Sequence, residues 1–183
     1  MPTGEVRTAP IVNAILHAGK MLFVPKILTK DGTMDFFRIY SSADLASLPS
    51  GTWGIKEPGE SLEGGQTRSR VLGVPPEPLD VILLPGVAFD RTLSRLGHGK
   101  GYYDRFITAY NSAFAYSPSS TSVTSVSSNH RKPLLVGLGL REQLLPGGEV
   151  PIGEHDWKMD VIITPDETIT SDSAEKASIA TKA

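Results

Sequence analysis

The sequence predicts an α/β protein, a three-layer α/β/α sandwich of Rossmann-like type around a mainly parallel sheet. Three observations lead there. Short unbroken apolar runs recur at Met21–Val24, Val81–Leu84, Leu134–Leu138 and Val161–Ile163, the pattern of strands covered on both faces. Segments with helical periodicity alternate with them, as crossover connections require. The chain has 183 residues, enough for one core.

In chain order, a helix is expected from Thr8 to Ala18, with Ile11, Ile15 and Leu16 inward and Gly19 as its stop. Met21–Val24 reads as a buried strand halted by Pro25, and Met34–Ile39 as a second strand. Glycine, proline and charge dominate from Ser41 to Pro78, and no regular structure is assigned there. Asp80–Leu84 reads as a strand ending at Pro85, followed by a loop, a glycine-rich turn and a helix carrying Tyr103, Ile107, Tyr110 and Phe114 on one face. Leu134–Leu138 and Val161–Ile163 complete the strands. A Ser/Thr-rich segment at about 111–133 is expected to be a flexible insertion, and 166–183 a disordered polar tail, leaving 1–165 as a single domain.

The bulk properties exclude several function classes. Hydrophobic residues make up 39% and charged residues 21%, ordinary for a soluble globular chain, and the net charge of −2 argues against general nucleic-acid or membrane-surface binding. With no cysteine there is no disulfide and no thiolate zinc site, and the four histidines are scattered without metal-ligand spacing. No stretch has transmembrane length and no signal-peptide core is evident, so a cytoplasmic location is expected.

The chemistry concentrates in Arg95–Asp104, which reads R-L-G-H-G-K-G-Y-Y-D. Gly97, Gly99 and Gly101 leave the backbone bare and permit the positive φ angles of a concave anion-binding nest. Lys100 adds a mobile positive charge, Arg95 a planar fork suited to phosphate oxygens, and the helix that follows adds its own partial positive charge. Asp104, in the first helical turn, suits either a magnesium ligand or a plain helix-end charge. The loop is neither a Walker A motif, since Gly101 follows Lys100, nor the dinucleotide G-x-G-x-x-G. A solvent-facing turn that binds nothing is the plainer alternative.

Leu84-Pro-Gly-Val-Ala-Phe-Asp90 followed by Arg95-Leu-Gly-His-Gly-Lys-Gly-Tyr-Tyr-Asp104 closely resembles the signature of the 5-formyltetrahydrofolate cyclo-ligase (methenyltetrahydrofolate synthetase) family. The similarity extends from about Glu5 to Thr164 and includes Gly19-Lys-Met-Leu-Phe-Val-Pro25, Trp53-Gly-Ile-Lys-Glu-Pro58 and His155-Asp-Trp-Lys-Met-Asp160. The resemblance implies a sandwich of the sugar-phosphate isomerase and CoA-transferase type. It also implies ATP- and Mg²⁺-dependent cyclisation of 5-formyltetrahydrofolate, with or without a polyglutamate tail, to 5,10-methenyltetrahydrofolate, in a monomer. By resemblance, Arg95, Gly97, His98, Gly99, Lys100, Gly101, Tyr102 and Tyr103 bind ATP, with Lys100, Arg95 and Tyr102 catalytic. Glu5 and Trp53 fall on folate-contacting positions, joined by His98 to Tyr102, and Asp104 and Asp160 fall on magnesium positions.

This chain departs from the family in two ways. It starts at the end of the family's first strand, without the preceding basic helix, so weaker ATP binding and an exposed sheet edge are expected. With an upstream segment, a mitochondrial location would also be open. Many members carry Arg where this chain has His98, and neutral histidine makes a weaker phosphate contact. Two alternatives stand beside the enzyme: a truncated, non-catalytic folate or nucleotide binder, and a different enzyme on a similar sheet, which would lack the paired signatures.

Overall fold

The computed structural model describes residues 6–29, 31–50, 56–115 and 132–172. The described parts of Arg7–Pro78 and Thr108–His130 form one compact unit; those of Leu79–Ile107 and Arg131–Ala183, with Val6, form another. The chain is α/β; among the described residues there are one antiparallel two-stranded sheet and two sheets of mixed strand sense.

The first of these units opens with α1 (Ala9–His17), whose Ile11, Val12, Ile15 and Leu16 are half-buried. Gly19 ends it at φ +66, its N–H reaching Leu16 O while Lys20 N reaches Ile15 O. β1 (Leu22–Ile27) and β2 (Met34–Ile39) then pair antiparallel, from Leu22 opposite Ile39 to Ile27 opposite Met34. Met21–Val24, expected in a mainly parallel sheet, thus lies in an antiparallel pair. The link from Leu28 to Thr33 is closed by Leu28 N on Thr33 O at 2.9 Å, far too short for a crossover but sufficient for a hairpin. β1 also runs through Pro25 instead of stopping there, because a strand paired on one side can turn the missing donor outward.

On the other edge of β2, Arg38 N donates to Ser69 O and Val71 N to Phe36 O, both at 2.9 Å. That covering explains why Met34, Phe36, Phe37 and Ile39 are all buried, without the alternation of a half-exposed strand. A short helix, α2 (Ser42–Ser47), lies in the stretch given no regular structure; Ser41 caps it by accepting from Asp44 N. The Asp44 carboxylate receives a bidentate Arg68 guanidinium at 2.7 Å, and Arg68 is itself buried.

In the second unit, β3 (Val81–Leu84), β6 (Leu134–Leu138) and β8 (Val161–Ile163) are parallel neighbours. β9 (Thr168–Thr170) joins β8 antiparallel. Ile169, only 3% exposed, anchors β9, so the segment from 166, expected to be disordered, begins with paired structure. A further small sheet orders as β5 (Arg95–Leu96), β4 (Ala88–Asp90) and β7 (Leu144–Leu145). The expected plain loop between β3 and the glycine turn is thus an antiparallel hairpin, and Arg95 lies in its second strand. Parallel pairing is thus confined to β3-β6-β8 and to β4 with β7, within sheets of mixed sense. α3 (Tyr102–Ala115) follows the glycine turn, taking up the first residues assigned to the flexible insertion; 116–131 lies outside the described residues.

Candidate functional site

Three glycines make room for one ring. A Cβ at Gly86 would sit 2.7 Å from the Phe89 ring, at Gly137 2.5 Å and at Gly139 3.1 Å. Phe89 is fully buried, and this close approach holds the Pro85–Asp90 segment against the end of β6. Gln143 braces the same segment: its Nε2 donates to Gly86 O at 2.7 Å while its Oε1 accepts from Leu140 N at 2.7 Å.

The hairpin then delivers Arg95. Its side chain is only 5% exposed, with Nη2 on Asp104 Oδ2 at 2.7 Å and Nη1 on Pro85 O at 3.3 Å. Its guanidinium carbon stands 5.7 Å from the centre of the Tyr103 ring, and burial pushes the Tyr103 phenol up against the opposing pull of that cation. Arg95 is therefore a buried brace across the loop in this structure, not a fork offered to solvent. Gly97 serves it by leaving space, since a Cβ there would lie 3.0 Å from Nη1. Positive φ is used at Gly99 (+75) and Gly101 (+62).

Between those braces the loop is open. His98, Gly99 and Lys100 are exposed, and among the described residues no acceptor takes their backbone N–H groups. The His98 and Lys100 side chains likewise have no hydrogen-bond or ion-pair partner among the described residues. Tyr102 is half-buried beneath the Arg105 guanidinium, which folds back to the Lys100 carbonyl. Arg105 was not among the residues singled out from sequence; its place one turn into α3, beside the loop, was the available signal.

Asp104 and Asp160, expected on magnesium positions, both carry hydrogen bonds here. Asp104 accepts from Arg95 Nη2 through Oδ2 at 2.7 Å and from Trp157 N through Oδ1 at 3.1 Å. Asp160, exposed at the start of β8, accepts from Leu135 N at 2.8 Å through Oδ2. Among the described residues, no three His, Cys, Asp or Glu side chains gather as a metal site. Glu5 and Trp53 lie outside the described residues.

These features define an α/β protein whose exposed glycine-rich loop leads directly into a helix, an architecture suited to phosphate. The chain belongs to the 5-formyltetrahydrofolate cyclo-ligase family, whose model it matches over residues 1–165. It is 36% identical over 169 residues to a probable 5-formyltetrahydrofolate cyclo-ligase of Schizosaccharomyces pombe, covering 92% of this chain and 73% of that one. It is 35% identical over 162 residues to the 5-formyltetrahydrofolate cyclo-ligase of Mus musculus, covering 88% of this chain and 68% of that one. The NMR structure of Aquifex aeolicus 5,10-methenyltetrahydrofolate synthetase superposes with a TM-score of 0.58 at 28% identity, covering 91% of this chain and 66% of that chain. The family is one of enzymes, and this chain is one of its members.

Proposed function

We propose that the chain uses ATP to cyclise 5-formyltetrahydrofolate to 5,10-methenyltetrahydrofolate, releasing ADP and phosphate. The observation that carries this reading is the open run His98–Lys100 directly before α3, whose N–H groups and lysine side chain have no partner among the described residues. The formyl oxygen attacks the γ-phosphorus as its bond to ADP breaks. N10 then attacks the activated carbon and gives up its proton, and the carbon–oxygen bond breaks to release phosphate. Amide oxygen is a poor leaving group until it is phosphorylated, so the protein must chiefly align two substrates and offset charge on the phosphoryl group. Lys100 and the loop N–H groups stabilise the phosphoryl oxygens, His98 and Tyr102 contact the folate side, and Arg95 acts through Asp104.

Glu5 and Trp53 remain folate-contacting residues in this reading, in a cyclo-ligase domain of residues 1–165 acting as a cytoplasmic monomer. The parallel β3-β6-β8 core supports a Rossmann-like sandwich. Asp104 and Asp160 remain the residues that would hold magnesium in this reading, with nucleotide phosphates and water completing its shell. No helix among the described residues is long and apolar enough to cross a membrane.

The test is appearance of the methenyl product by its absorbance, with and without ATP. Lys100→Ala should lower turnover about a hundredfold, the scale of losing one preorganised charge contact. Its unfolding free energy should stay within about 0.5 kcal/mol of the parent, because the side chain is exposed. Nucleotide binding without product would overturn the catalytic assignment.

A further inference from the structure

Asp90 closes the P-G-x-x-F-D segment and is fully buried, yet the chemistry above does not use it. Five donors converge on its carboxylate. Oδ1 accepts from Thr92 N at 2.8 Å, Thr92 Oγ1 at 2.7 Å and Ser94 N at 3.2 Å. Oδ2 accepts from Gly148 N at 3.0 Å and Val150 N at 3.1 Å, across 58 and 60 residues of chain.

The turn so organised is tight. Asp90 N donates to Ser94 O at 3.1 Å and Leu93 N to Asp90 O at 3.0 Å, with Leu93 held at φ +67, where a non-glycine residue needs outside support. The turn has two outlets. Along the chain it hands over directly to Arg95. Across space, Leu93 O accepts from Met159 N at 2.8 Å and Thr92 O from Lys158 Nζ at 3.2 Å, fixing the segment that contains Trp157. Arg95 and Trp157 both hold Asp104.

We propose that Asp90 is a positioning residue for the phosphoryl-transfer site: its carboxylate sets the 90–94 turn, and through it the two groups that fix Asp104 and the glycine loop. The proposal rests on the catalytic reading above. An amide in the same place would turn an NH₂ toward N–H donors, loosening one side of the turn while preserving its size.

The deciding experiment is a double-mutant cycle between Asp90→Asn and Arg95→Ala, read in kcat and KM for ATP and 5-formyltetrahydrofolate. Asp90→Asn should lower kcat about tenfold with KM within about twofold, as expected for lost alignment. In the Arg95→Ala background the same change should alter kcat less than about twofold. Asp35→Asn, another buried carboxylate, should leave kcat unchanged. Additive losses, or an Asp90→Asn kcat equal to the parent's, would overturn the proposal.

Amide hydrogen exchange gives an answer independent of activity. Asp90→Asn should speed exchange in both 95–101 and 157–160; acceleration confined to 92–94 and 148–150 would overturn the assignment. If Asp90→Asn does not fold, Thr92→Val, which removes one of the five donors, takes its place with the same outcomes. A parent protein without turnover would instead sink the catalytic reading, leaving the exchange result to decide the positioning role.

Discussion

Asp35 and Asp90 are both buried aspartates at strand positions, one in each compact unit, and the protein treats them differently. Asp35, in β2, accepts from Phe36 N at 2.7 Å and Leu72 N at 3.0 Å, both through Oδ1. Its Oδ2 is buried with no hydrogen-bond partner among the described residues, and Arg70 Nε stands 3.8 Å away on a side chain 48% exposed. Burial pushes this carboxyl above its ordinary range, and the Leu72 and Phe36 N–H groups and Arg70 only partly offset it. At Asp90 burial pulls the same way, but the Thr92 hydroxyl and the N–H groups of Val150, Thr92 and Ser94 outweigh it and hold the carboxyl low. The difference lies in the number of donors on each oxygen. Depth alone does not decide whether a buried acid stabilises its fold.

The largest expected effect is for truncation at the better-served acid. Asp90→Ala strands four backbone N–H groups and should cost about 4 kcal/mol in urea unfolding. Asp35→Asn comes next: it keeps both Oδ1 bonds while removing a buried charge, so its unfolding free energy should stay within about 1 kcal/mol of the parent. A loss at Asp35 as large as that at Asp90 would erase the distinction between them.

The smallest effect is a matter of sign, read from unfolding free energy against pH. Asp90 is depressed in the fold, so the unfolded chain binds its proton first; its contribution is present above 3.8 and lost as pH falls beneath that value. Asp35 is raised, so the folded chain holds the proton longer, and stability declines as pH rises from 3.8 through the raised value. Asp35→Asn should therefore remove a decline on the neutral side, and Asp90→Asn a decline on the acid side. Curves that shift the same way for both would contradict the donor argument.

The longer apolar strands were legible in the sequence: Met34–Ile39, Val81–Leu84 and Leu134–Leu138 appear with the boundaries their residues suggest, and α3 follows its stripe of Tyr103, Ile107 and Tyr110. The β4–β5 hairpin was not, because strands of three and two residues carry too little pattern to separate from loop. β9 hid in polar composition, with Ile169 its one buried apolar residue. The glycine turn before α3 was visible in the sequence, whereas the burial of Arg95 was not, since its partners Asp104 and Pro85 are assembled by the hairpin. Asp90 had a local signal in D-x-T-x-S, the spacing of an aspartate that bonds its own following backbone. Its distant partners at Gly148 and Val150 left no such trace.

The ring of Phe89 lies against the backbone at Gly86, Gly137 and Gly139, so four positions spread along the chain behave as a single locus in sequence change. A methyl added at Gly137 collides with the ring unless position 89 shrinks, and a smaller residue at 89 leaves a void that the glycines have no side chains to fill. Substitutions harmful one at a time become tolerable only in combination. That coupling constrains the segment before the glycine loop through packing alone, apart from whatever the chemistry beside it demands.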